Sequence, residues 1–184
     1  MNSFYSEEEL KHLGLISYGK NVLISRKVSI YSSDKISIGD NVRIDDFCIL
    51  SGVITIGSHI HISAYCALYG LFGIILDDYS GLSPRTTIFS AMDDFSGDFL
   101  IGPIHDNLKT NVTGGIVHIS KYVQVGAGSV VFPNLHIEEG AVVGALSVVN
   151  KSIDKWTINA GIPCKFIKFR SNNLLKFVEN NNKK

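Results

Sequence analysis

Charge is scarce in this sequence and evenly split. Asp, Glu, Lys and Arg make up 18% of the 184 residues, with 17 acidic side chains against 17 basic ones. Such a chain has no basic field to gather nucleic acid or to hold it on an anionic membrane surface, so a small molecule or a protein is the expected partner. Cysteine is scarcer still. Cys48, Cys66 and Cys164 are an odd number without metal-ligand spacing, which argues against a disulfide framework and fits reduced, buried side chains. Also missing is any apolar run near the roughly 18 residues of a membrane-spanning helix. The first residues, MNSFYSEEEL, are acidic where a secretory leader is basic. The expected location is the cytoplasm, without membrane contact.

What the chain has instead is apolar material and a period. Hydrophobic residues are 45% of it, enough for the core of one domain. One apolar position recurs every six residues through Ile38, Ile44, Leu50, Ile56, Ile62, Leu68 and Ile74. A second inward candidate stands two places before each: Ile36, Val42, Cys48, Ile54, Ile60, Cys66 and Phe72. The phase then slips by two and continues at Leu76, Leu82 and Ile88, and a second run follows at Ile119, Val125, Val131, Ile137, Val143 and Val149. A helix repeats at 3.6 residues and cannot sustain a period of six, whereas short strands joined by tight corners can, three hexads to a coil. The predicted fold is therefore all-β, a parallel β-helix whose coils stack apolar residues over one another. Gly, Asp, Asn and Ser in IGDN, IDDF, IGSH and VGAG are the expected corner residues. Cys48 and Cys66 occupy equivalent positions on adjacent coils, about 4.8 Å apart, and read as core filling.

The ends of a solenoid need covers. Ser6 and Glu9 form a capping box for a helix through SEEELKHLG that stops near Gly14, and Ser171 is placed to cap another through NNLLKFVEN. A polar tail, NNNKK, follows. The organisation expected is a β-helix over residues 1–170 and a C-terminal helix and tail over 171–184. The repeat is broken once, by an excursion over residues 89–116. So long a loop in a compact domain is functional or disordered, and its aromatic and aliphatic anchors favour function. It carries Asp93, Asp94 and His105. By contrast, His61, His118 and His136 each precede an inward residue and are expected to face outward, while His59 sits at a corner and His12 in the first helix.

Together with NAGIPCKFIKFR after the last coil, these features resemble the hexapeptide-repeat acyltransferases. The resemblance implies a left-handed β-helix, acetyl-CoA or another short acyl-CoA as donor, no metal, and a homotrimer with active sites between subunits. In that family the AGxPxK element helps to hold coenzyme A, which assigns Gly161, Pro163 and Lys165 to the donor. Gly126, Ala127, Gly128, Gly144 and Ala145 are small enough to let a pantetheine arm approach backbone amides. More narrowly, MNSFYSEEEL, RIDDFCILSG, CALYG and DDFSG resemble N-acyltransferases of nucleotide-linked 4-amino-4,6-dideoxyhexoses of the viosamine and anthrose type. The reaction implied is acylation of the amino group of a dTDP-linked sugar, for cell-surface polysaccharide or O-antigen biosynthesis.

The wider relatives, galactoside and maltose O-acetyltransferases, place a catalytic histidine at about the position of Met92. A sugar hydroxyl needs such a base. An amine does not, because it carries a lone pair whenever neutral, and one with a pKa near 8 is about a tenth neutral at pH 7. Asp93 and Asp94 are the candidates to bind the ammonium form, orient it and take a proton. Ser83 is expected to add a hydrogen bond, and His105 to enter from a neighbouring subunit. Two other classes share the repeat. A zinc enzyme of the γ-carbonic anhydrase kind needs three converging histidines, which these positions do not readily assemble. A non-catalytic scaffold would keep a monotonous outer face, without the excursion or AGIPCK.

Overall fold

In the computed structural model, which describes residues 3–181, the hexads become strands of two or three residues, and successive turns pair in parallel. Arg43 pairs with His61 and Val130 with Val148, an offset of 18 residues per coil. Three faces result. The first runs through Leu23–Ile24, Arg43–Ile44, His61–Ile62, Gly81–Leu82, Gln124–Val125, Val142–Val143 and Thr157–Ala160. The second and third are joined where the longer strands Ile49–Ile56 and Ala67–Leu76 turn a corner. Along the coil axis, coils nearer the C-terminus lie above those nearer the N-terminus.

Inward residues of each face lie over one another. Ile24, Ile44, Ile62, Leu82, Val125 and Val143 form the inner column of the first face and are buried. Each such side chain contributes about 1.5–3 kcal/mol by leaving water. Phe72 departs from the expected frame. Gly52 pairs with Gly70, but Ile54 pairs with Ile74, so two extra residues enter at that corner. The slip thus falls before Ile74 rather than after it, and Phe72 is carried outward to 46% exposure.

The corners meet the expectation at Asn41 and Gly128 and depart from it elsewhere. The last residue of each quoted corner, Asn41, Phe47, His59 and Gly128, has φ between 56° and 69°, and so do Tyr65, Tyr79 and Tyr122. Small flexible residues were expected there. For a bulky side chain this left-handed conformation is unfavourable. Stacking offsets it: Phe47 lies on Tyr65 with ring centroids 5.0 Å apart, and Tyr79 lies between His59 at 4.6 Å and Tyr122 at 5.5 Å. Aromatic pairs of this kind contribute about 0.5–1.5 kcal/mol each.

Cys48 and Cys66 are buried and unlinked. Their thiols donate to the carbonyls of Ser63 and Ser83 at 3.1 and 3.2 Å. Contact with Cys66, reinforced by burial, pushes the Cys48 thiol up, away from thiolate chemistry. Helix α1 (Glu7–Lys11) has the capping box expected of it, Glu9 N donating to Ser6 Oγ at 3.3 Å and Ser6 N to Glu9 Oε2 at 2.7 Å. Helix α2 (Leu175–Asn181) begins later than expected. The Ser171 hydroxyl accepts from Asn173 N at 3.2 Å, closing a turn ahead of the helix rather than capping it. Of the polar tail, residues 182–184 lie outside the described residues.

Candidate active site

The excursion leaves the second face after Thr87–Phe89. Thr87 pairs with Ala67 below and with Val130 above. Those partners above are 43 positions apart where a coil takes 18, so 25 residues are extruded. Ala91–Asp93 and Val112–Gly114 pair antiparallel and form the stem of an arm. Its root is fixed by Ser90, whose buried hydroxyl accepts from Phe72 N at 2.9 Å and donates to Tyr69 O at 3.1 Å. Gly115 N donates to Ser90 O at 2.9 Å. The returning strand needs glycine here, because a Cβ on Gly114 would come within 2.2 Å of Ser90 O.

The two aspartates of the arm are not equivalent. Asp94 is an anchor: its carboxylate accepts from Ser96 N at 2.7 Å and from Asn111 Nδ2 at 2.8 Å, and its N–H donates to Asn111 O. The bonds from Ser96, with a further one from Asn111, hold its pKa below the ordinary carboxylate value. Among the described residues the Asp93 carboxylate accepts one long bond, from Gly102 N at 3.4 Å, and it opens on a cavity of about 480 Å³. That cavity also takes in Tyr69, Met92, His105 and Asn107. Asp93 and His105 are therefore brought together, and Asp94 is not with them. Met92, which lines the same cavity, offers only a thioether.

Ser83 lies elsewhere, at the corner that follows Gly81–Leu82, and does not line this cavity. It belongs to a vertical series of corner residues. Ser83 N donates to Val125 O, Gly126 N to Val143 O, and Gly144 N to Asn159 O, all at 2.7–2.9 Å. Above Ser83 this corner is thus built from Gly126, Ala127, Gly128, then Gly144 and Ala145, then Ala160 and Gly161. Gly126 is demanded by the coils themselves, since a Cβ there would lie 2.5 Å from Ala145 N. Gly161 is tied in by a bond from its N–H to Ser147 Oγ at 2.9 Å, and Cys164 N donates to Val148 O. Pro163 follows in the turn, and Lys165 opens the exposed strand Lys165–Phe169, which folds back antiparallel on Thr157–Ala160. The arrangement is a smooth, small-sided corner with an exposed cation at its upper end.

The outward histidines have partners of their own. His61 Nε2 lies 2.7 Å from Asp45, which also binds Arg43 at 2.7 Å. Burial raises the Asp45 pKa, but the bonds from His61 and Arg43 outweigh it and the carboxyl ends below its ordinary value. His118 meets Asp77 at 2.8 Å and stacks on His136. Among the described residues, no three His, Cys, Asp or Glu side chains gather as a metal site requires. Sequence reasoning missed Tyr69 and Phe132 as neighbours of Asp93, because aromatic side chains at outward coil positions carry no signal of their own; Phe95, one of the arm's aromatic anchors, lines the smaller space beside Asp93.

No family model matches the chain. A dTDP-4-amino-4,6-dideoxy-D-glucose acyltransferase from Escherichia coli is 43% identical over 177 residues, covering 95% of this chain and 92% of that one. The N-acyltransferase AntD from Bacillus cereus, solved with dTDP-4-amino-4,6-dideoxyglucose and coenzyme A, is 52% identical, with a TM-score of 0.97 over 100% of this chain and 99% of that one. It has also been solved with dTDP and 3-hydroxybutyryl-CoA. Its variants change one serine, to alanine, threonine or cysteine, and one aspartate ten positions later, to asparagine or alanine. A hexapeptide-repeat acetyltransferase from Vibrio cholerae, 18% identical with a TM-score of 0.63 over 93% of this chain and 85% of that one, shares the fold. Identity at this level along nearly the whole length means that the chain belongs to the dTDP-4-amino-4,6-dideoxyglucose acyltransferases.

Proposed function

We propose that this protein transfers an acyl group from an acyl-CoA to the 4-amino group of a dTDP-linked 4-amino-4,6-dideoxy sugar. One observation carries the reading. The Bacillus cereus N-acyltransferase, solved with that amino sugar and coenzyme A, was varied at a serine and an aspartate ten positions apart, and this chain has Ser83 and Asp93 at the same spacing. The spacing supports Asp93 over Asp94, in keeping with the anchoring bonds that occupy Asp94.

The chemistry asked of the site is modest. The neutral amine attacks the thioester carbonyl, the C–S bond breaks as the amide forms, and coenzyme A leaves as the thiol with a proton from the amine. Asp93 binds the ammonium form, orients it and accepts a proton, while Ser83 steadies the donor by a hydrogen bond and His105 lines the acceptor's side. The small-sided corner from Gly126 to Gly161 accepts the pantetheine arm, and Lys165 faces a phosphate of the donor. No acyl-enzyme is required. Buried Cys48 is held protonated, and burial pushes Cys164 up as well.

Ser83 and Asp93 stand at different corners of one protomer, so the site needs a second copy. A homotrimer in which the arm of one subunit reaches the Ser83 corner of the next satisfies this. Its apolar tip supports the reading, for Ile104 and Leu108 are 87% and 90% exposed. The product, an amide on a nucleotide-activated sugar, suits glycosyl transfer into a cell-surface polysaccharide, and the reaction is placed in the cytoplasm. The test is release of free thiol from acetyl-CoA with the dTDP-linked 4-amino sugar, its 3-amino isomer and simple galactosides. Turnover confined to the 4-amino sugar is expected; turnover on galactosides alone would refute the proposal.

A further inference from the structure

Asp93 stands in a partition. The strand Ala91–Asp93 separates the 480 Å³ cavity from a second one of about 220 Å³, and Ala91, Met92 and Asp93 line both. The remaining wall of the smaller cavity is aromatic, made of Phe89, Phe95 and Phe132. One side of Asp93 therefore faces a mixed space with His105 and Asn107. The other faces an apolar space in which Asp93 is the sole charged group.

The coil axis orders the two. Phe89 lies on the coil of Ser83. Tyr69, in the larger cavity, is its partner on the coil below, and Phe132, in the smaller, follows the strand Val130–Val131 on the coil above. The small-sided corner that runs from Gly126 to Gly161 also lies above Ser83. A threefold axis parallel to the coils keeps these levels equal in neighbouring subunits. Donor groove and apolar cavity then lie on one side of the Asp93 level, and the polar cavity on the other.

We infer that the apolar cavity seats the acyl chain of the donor and sets the length of acyl group this protein transfers; the inference rests on the proposed transferase reading. A volume of 220 Å³ is several times the share of about 30 Å³ that a water takes in the liquid, and more than an acetyl methyl fills. Donors with several acyl carbons are therefore preferred to acetyl-CoA. Each further methylene buried against these rings raises kcat/KM by about fourfold until the cavity is full.

The experiment measures kcat/KM for acetyl-, butanoyl- and hexanoyl-CoA with dTDP-4-amino-4,6-dideoxyglucose, in the intact protein and in the variants Phe132→Ala and Phe95→Ala. Phe95 is 69% exposed, so its truncation leaves the core untouched should Phe132→Ala fold poorly. In the intact protein, butanoyl-CoA, with two more methylenes, should exceed acetyl-CoA by about fifteenfold. Both variants should raise the hexanoyl-to-acetyl ratio, Phe132→Ala by about tenfold and Phe95→Ala by less, without change in KM for the amino sugar. Ratios left in place by both variants, or a raised KM for the sugar with the ratios unmoved, would overturn the inference while acetyl transfer to the sugar still upheld the transferase reading. An intact protein inactive with every acyl-CoA would defeat both.

Discussion

In the coils an apolar residue is covered by its own repeat: Ile44 pairs with Ile62 on the next turn, and both are fully buried. In the arm the equivalent investment is left open, with Ile104 and Leu108 almost wholly exposed and Phe95 at 69%. The coils satisfy themselves within one chain. The arm leaves its apolar side chains uncovered by its own chain. The same division runs through the polar residues. Outward histidines of the coils are matched to carboxylates, as His61 is to Asp45 and His118 to Asp77, whereas Asp93 on the arm keeps one long bond. Satisfied contacts are thus concentrated in the repeat, and the proposed reactivity lies in its interruption.

Four changes would test that division. Replacing residues 94–111 by a short turn should abolish turnover, by at least about a thousandfold, while the cooperative melt of the coils survives. Asp93→Asn is expected to lower kcat/KM by about a hundredfold without changing the melting temperature by more than a degree or two, measured by thiol release and calorimetry. Asp94→Asn should cost less, about tenfold at most, and should act through the arm: faster proteolytic cleavage between residues 95 and 110 is the readout that separates an anchor from a catalytic group. The sign of the Asp94 shift adds a pH signature. Its folded pKa is depressed, so the anchoring is complete above the ordinary carboxylate pKa and fades as pH falls through the lower folded value, where cleavage of the arm should rise. In the coils the pattern inverts. Ile62→Ala should destabilise by about 2–5 kcal/mol in denaturant melts and leave the rate of the folded protein nearly unchanged.

Much of this could be read from the chain because a period of six has few structural solutions. The inner columns from Ile36 to Val149 follow from spacing alone, and so does the place where spacing fails. Phe72 was misplaced because an apolar side chain fits the hexad frame whether or not the backbone adds two residues beside it. The stacked Phe47, Tyr65 and Tyr122 were missed for a related reason. Propensity assigns left-handed corners to Gly and Asn, and only the vertical repeat lets an aromatic ring find a neighbour that offsets the strain. The candidate residues Asp93, His105 and Ser83 all stood out in the sequence. Their grouping did not, because Asp93 and Asp94 have the same chemistry in sequence and differ only in the bonds that Ser96 and Asn111 make to one of them.

The central claim is that the arm of one copy works at the coil corner of another, and subunit mixing tests it most directly. Ala145→Trp fills the donor corner from an exposed position, and Asp93→Asn disables the arm; each variant alone should be inactive. Co-refolded in equal amounts, the two should regain about a quarter of the wild-type rate, because some sites then join an intact corner to an intact arm. A mixture that forms hybrid assemblies yet stays as inactive as its parents would contradict the account.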